Sequence, residues 1–194
     1  MKTTNILKNA IAITMIIMIA ACSSSKKTTI QKSSGSTEIT LPFENKEYKT
    51  DKDFFRARQT GKSPDMATAK KIAMQNAKSE LASNIQSTVK KVTDQYTNQR
   101  TIGDKQEFEN KFEELSREVS NQKIGGVKIV GEKLFKENDG SYTAWVVIEV
   151  SKQSVLDAMS NEISKNAKLQ LDYDKKKFEE IFNQEMQNLE NERK

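Results

Sequence analysis

Apolar residues recur at Ala69, Ala73, Ala77, Leu81, Ile85, Val89, Val92 and Tyr96. A period of three to four residues held over this distance predicts a long amphipathic helix with one buried stripe. The stripe opens with alanines, so its first half is expected to lie close against a sheet. Ser63-Pro64-Asp65 marks the start: Ser63 is placed to cap, Pro64 suits the first helical position, and Asp65 favours the positive end of the dipole. Asn98 is the latest expected end. Ahead of the helix, Phe54 to Gln59 reads as a short strand closed by Thr60-Gly61.

A second amphipathic segment places Phe108, Phe112, Leu115 and Val119 on one face, with Glu107 and Lys111 paired one turn apart. Gly125-Gly126 separates it from a hairpin. Val127 to Phe135 and Tyr142 to Val150 are rich in β-formers, and Asn138-Asp139-Gly140 supplies the turn. The second strand is apolar on both faces, so it is expected to be central or covered on both sides. Ser151 is placed to cap a last helix. From Lys152 to Lys194 there is no Gly or Pro, which predicts one helix of about 40 residues and about 60 Å, its end projecting or folding back. The predicted fold class is α+β: a long helix packed on a small antiparallel sheet containing a C-terminal hairpin, followed by a long C-terminal amphipathic helix.

The N-terminal region follows a different pattern. Lys2 and Lys8 precede an apolar run from Ala10 to Met18, and Ile19-Ala20-Ala21 lead to Cys22. The run is too short to span a bilayer, which takes about 20 residues, and it has the anatomy of a secretory signal. Residues 1–21 are therefore read as a signal peptide and 22–45 as a flexible tether. Ser23 to Thr40 is too polar to order itself, and its reach is about 20–25 Å. Residues 46–152 form the α+β domain and 153–194 a C-terminal helical extension.

Composition narrows the chemistry. There is no histidine, which removes the commonest general base, the Ser–His and Cys–His nucleophiles and every His-containing metal site. Cys22 is the one cysteine. The pairs Asp172 with Asp174 and Glu113 with Glu114 are read as solvated helix charges. Thr60-Gly61-Lys62-Ser63 ends like a phosphate-binding loop, but Arg56 stands where that loop needs its first glycine. No catalytic residue, metal or cofactor is expected. The formal net charge is +5, unevenly spread: residues 22–91 carry 14 basic and 7 acidic groups, residues 92–194 carry 16 and 20. No aromatic series accompanies the basic residues, so nucleic acid is not an expected partner.

Ile19-Ala20-Ala21-Cys22 resembles a bacterial lipobox, which implies lipidation of Cys22 and a membrane anchor. Further along, Phe55-Arg56-Ala57, Gly61-Lys62-Ser63, the ladder Ala69, Ala73, Ala77, Leu81-Ala82 and Ile85, and the hairpin ending Trp145-Val146-Val147-Ile148 resemble the twenty-kilodalton "Lpp-twenty" lipoprotein family. Its domain is shared with the N-terminal part of the flagellar assembly protein FlgT, and the likeness covers about residues 50–152. It implies an α+β domain in outer-membrane lipoproteins of diderm bacteria, without established catalytic residues. Ser23 after the cysteine resembles the outer-membrane sorting pattern, and Lys26-Lys27 in place of acids favours the periplasmic face. The expected function is a non-enzymatic, outer-membrane-anchored periplasmic lipoprotein with an envelope structural or assembly role, its C-terminal helix meeting a protein partner or a second copy. The alternative is an accessory binder of cell-wall glycan or lipid that regulates an envelope enzyme, using the basic half and exposed aromatics such as Tyr96.

Overall fold

A computed structural model describes residues 39–192. Strands β1 (Phe54–Ser63), β2 (Lys128–Lys136) and β3 (Tyr142–Ser151) form one antiparallel sheet in the order β1-β3-β2, so the second hairpin strand is central as expected. Opposed residues of an antiparallel pair share a face. Phe55 pairs with Val150, Ala57 with Ile148 and Gly61 with Ala144, and all six are buried. This face carries helix α1 (Met66–Asn98), which is capped by Asp65 accepting from the Thr68 amide.

β1 continues four residues beyond the expected end at Gln59, and the physical reason is Gly61. A Cβ there would lie 2.5 Å from both the Ala69 carbonyl oxygen and the Ala73 amide nitrogen. The glycine therefore permits α1 to cross the strand with backbone against backbone. The start of α1 also differs. Asp65 is the cap, Pro64 precedes it, and the Ser63 hydroxyl accepts from the Asp65 amide. A helix of 33 residues is about 50 Å long, whereas a 10-residue strand is about 33 Å. The stripe therefore outruns the sheet, and its C-terminal part, around Tyr96, is covered by other helices.

Those helices are α2 (Lys105–Ile124), α3 (Lys152–Ser164), α4 (Ala167–Asp172) and α5 (Lys175–Glu192). The last three replace the single long helix expected from the sequence. Asn166 caps α4, its side chain accepting from the Lys168 and Leu169 amides. Asp174 accepts from the Lys177 amide at the start of α5. The break between them is held by Tyr96 of α1, whose hydroxyl donates to the Asp172 carbonyl at 2.7 Å and accepts from the Asp174 amide at 2.7 Å. Tyr96 is fully buried, not an exposed aromatic.

The fold-back brings the C-terminal apolar stripe into the core, with Phe178, Ile181, Phe182 and Met186 buried. Ring contacts run from Tyr96 to Phe108, to Phe112, to Phe178, to Phe182 and finally to Phe55 on the sheet. These are offset, tilted or edge-to-face pairs of the kind that contribute beyond plain area burial. Residues 153–192 are thus part of one domain. At the other end, the compact unit begins at Thr40, and residues that the tether assignment covered lie on the sheet's second face. Phe43, at a φ of 62°, puts its ring against Gly131, where a Cβ would come within 2.7 Å of it. Arg58 donates to the Pro42 carbonyl at 3.0 Å.

Two outcomes follow from this packing. Gly61→Ala is expected to cost about 2 kcal/mol, because backbone blocks the new methyl. Thermal unfolding should show a midpoint lower by about 4–8 °C. Tyr96→Phe is expected to cost about 1–2 kcal/mol by leaving the Asp172 carbonyl and Asp174 amide unpaired. Hydrogen exchange should report faster exchange confined first to α5.

Candidate functional site

Cys22, the lipidation candidate, lies outside the described residues. The other residues singled out by sequence serve the fold. Thr60-Gly61-Lys62-Ser63 is extended strand, and the Lys62 Nζ lies 2.9 Å from an Asp139 carboxylate oxygen at the hairpin turn. Asp172 and Asp174 flank the Tyr96 hydroxyl through backbone groups, and the Asp174 carboxylate takes a 2.8 Å hydrogen bond from Arg100. Glu113 pairs with Arg117 at 3.1 Å on the exposed side of α2. Glu107 meets both Lys111 at 3.2 Å and Lys168 at 2.7 Å. Among the described residues no three His, Cys, Asp or Glu side chains converge as a metal site would need, and no helix is long and apolar enough to cross a membrane.

The densest charged cluster is centred on Arg56, whose side chain is 11% exposed. Its Nε donates to Glu149 at 2.9 Å, and its Nη1 donates to Asp51 and to the Lys49 carbonyl. Thr50 completes the edge, exchanging hydrogen bonds with the Arg56 backbone through its hydroxyl. Burial alone would lower the Arg56 pKa, but the Asp51 and Glu149 carboxylates outweigh it and raise it. Burial would raise the Asp51 pKa. The Arg56 side chain and the amides of Asp53 and Phe54 overcome that and hold it below its ordinary value. The Nη1 bonds fix residues 49–53 to β1 and the Nε bond ties β1 to β3, so the chemistry of this cluster is attachment.

Among several surface grooves of similar size in the described residues, one of about 340 Å³ lies between α1 and α2. Its floor is formed by Val89, Thr93, Phe112 and Ser116, exposed by 1%, 3%, 1% and 4%. Its rim carries Gln86, Lys90 and Asp94 from α1, with Asn110, Glu113 and Arg117 from α2. The two helices lie side by side because their apolar stripes meet under the groove. The polar positions next to those stripes then face each other across it. Thr93 donates its hydroxyl to the Val89 carbonyl, while the Ser116 Oγ is buried without a hydrogen-bond partner among the described residues. Sequence reading passed over this site. One signal for it was present: Ser116 stands beside Leu115 inside an apolar stripe, where a hydroxyl has no structural purpose.

The Arg56 cluster makes stability depend on acid. The folded-state pKa of Asp51 is depressed below its ordinary 3.8. Its contribution is complete above that value and is lost as pH falls through the lower folded value. Urea unfolding is expected to show stability falling steeply below pH 4 in the native chain. Asp51→Asn is expected to be weaker at pH 7 and to lose less between pH 5 and pH 3. Comparison with protein-family models, with characterised proteins and with solved structures finds no match to this chain.

Proposed function

We propose that the protein is a non-enzymatic lipoprotein of the Lpp-twenty type, anchored in the outer membrane through Cys22 and facing the periplasm, with a structural or assembly role in the envelope. The observation that carries this reading is the placement of the one cysteine directly after a signal-like run and directly before a hydrophilic tract. One acyl chain holds a protein to a bilayer only marginally, at about 0.8 kcal/mol per buried CH₂, and the multiple chains of a lipidated N-terminal cysteine would make the attachment lasting. The fold supports the reading, since a long alanine-laddered helix on a three-stranded antiparallel sheet is the architecture that the family resemblance implies. The charge distribution supports it too. Basic residues are concentrated in the N-terminal half, next to the anchor, where anionic headgroups attract them.

A protein partner or a second copy meets the outward face of the C-terminal helix in this reading. The apolar face of α5 is internal, so the surface left for recognition is polar: Lys176, Glu180, Gln184 and Gln187 are exposed along it. Contact through such a face would be of the polar, moderate-area kind that assembly factors use in passing, not an obligate seam.

The anchor is tested by expressing the chain and its Cys22→Ala variant in a diderm bacterium fed a clickable fatty acid. The native chain should carry the label and sediment with outer membranes, and the variant should be unlabelled and soluble. An unlabelled native chain, or a variant retained in the membrane, would overturn the proposal.

A further inference from the structure

The open edge of the sheet is a surface distinct from α5, and what it implies does not depend on the anchoring reading. We infer that β2 pairs with β2 of a second copy, antiparallel about a two-fold axis at Leu134, joining the two sheets into one. The fold treats the sheet's two edges differently. β1 is guarded: the Thr50 hydroxyl accepts from the Arg56 amide and donates to the Arg56 carbonyl, and Asn76 donates to the Thr60 carbonyl. β2 pairs with β3 on one side and with no strand on the other. Its bulge lies between Ile129 and Gly131, and from Gly131 to Lys136 the strand is regular and free of proline. Such a stretch is a template for another strand. Leu134 and Phe135 lie within it, exposed by 37% and 43%.

The ladder decides which backbone groups are open. Residues of an antiparallel strand turn their N–H and C=O alternately towards one neighbour and the other. The Arg56 backbone bonds to Thr50, so Glu149 opposite it turns towards β2, as do Val147, Trp145 and Thr143. The β2 partners of these last three, Gly131, Lys133 and Phe135, are therefore satisfied by β3. Glu132, Leu134 and Lys136 point their backbone groups outward.

The side chains select the occupant and the register. In a two-fold antiparallel pair the residue on the axis opposes itself, and residues equally far on either side oppose each other. An axis at Glu132 would set glutamate against glutamate and Lys128 against Lys136. An axis at Lys133 or Lys136 would set lysine against lysine. Gly131 lies at the bulge, and an axis at Phe135 would run the pairing into the Asn138-Asp139-Gly140 turn. At Leu134 the strand complements itself. Glu132 of each copy faces Lys136 of the other, Leu134 meets Leu134 between them, and Lys133 faces Phe135. Lys136 makes no ion pair among the described residues, and Glu132 reaches Lys70 of α1 in the single chain. In this register Leu134 and the two flanking pairs all have outward backbone groups, enough for about six hydrogen bonds. The axis stands perpendicular to the sheet, so both entry segments lie on one face. The guarded β1 strands become the outer edges, which closes the assembly at two copies.

Sedimentation of the full-length chain in density-matched detergent micelles tests the pairing. The expected result is a reversible monomer–dimer equilibrium with a dissociation constant of about 10–100 μM, since an edge buries less area than a standard interface. Glu132→Lys and Lys136→Glu each turn two opposite-charge pairs into two like-charge pairs, and each should weaken dimerisation about tenfold. The double variant restores opposite charges and should dimerise within about threefold of the native chain. That rescue separates pairing from fold, because positions 132 and 136 lie about 13 Å apart along one strand and cannot compensate within a chain. Thiols read the register, with Cys22→Ala removing the native cysteine. Leu134→Cys should crosslink the dimer on oxidation, its facing Cα atoms being about 5.5 Å apart. Lys136→Cys should not, because its copy lies about 13 Å away along the strand. A chain that stays monomeric at millimolar concentration, or that associates beyond the dimer, would overturn the inference. So would a dimer indifferent to both single charge changes, a double variant that fails to recover, or crosslinking of Lys136→Cys as fast as Leu134→Cys.

Discussion

The contact of α1 with β1 at Gly61 is the constraint on which the remaining structure depends. Strand and helix backbones approach there without a side chain between them, and Ala69, Ala73 and Ala77 keep the interface thin along the first three turns. A helix so close to one end of a sheet rises away from it only gradually. The side chains beneath it must therefore grow, from alanine to Leu81 and Ile85, to keep the space filled at interior density. The gradient in residue size along one helix sets the tilt of α1. That tilt decides where the stripe leaves the sheet and where α2 and α5 must take over.

Tyr96 stands at the point of handover. Its ring belongs to the aromatic column, and its hydroxyl joins the two backbone groups left open between α4 and α5. A helix interrupted by side-chain caps alone has many relative orientations available to its halves. A buried hydroxyl that both donates and accepts across the gap restricts them sharply. The turn between α4 and α5 thus depends on a residue 76 positions earlier in the chain. The ion cluster around Arg56 works similarly on the opposite side of the sheet, tying the entry segment to the middle of the domain.

The legible parts of the fold were those specified within a single segment. The α1 stripe could be read because its period persists from Ala69 to Tyr96, and the hairpin because Asn138-Asp139-Gly140 divides two β-rich runs. The illegible parts were set by contacts between segments. Gly61 reads as a strand terminator until α1 is seen to need the space its missing Cβ leaves. Asn166 and Asp174 are ordinary caps by residue type, yet an apolar period without Gly or Pro conceals them, because the cause of the break lies in Tyr96. Phe43 falls within the span read as tether because its receptor, Gly131, is far away in sequence. The groove was hidden for a related reason. Gln86, Asn110 and Ser116 are commonplace helix residues until two helices bring them together.

The covering of the sheet's second face has a mechanical consequence. Residues 42–50 cross that face by discrete attachments: Pro42 to Arg58, Phe43 to Gly131, Lys49 to Arg56, and Thr50 to the β1 edge. Each can yield while the β1–β3 ladder and α1 stay intact. The entry strap is held by side-chain and ring contacts that lie outside the sheet's own ladder, so its release would leave the β1–β3 hydrogen bonds in place.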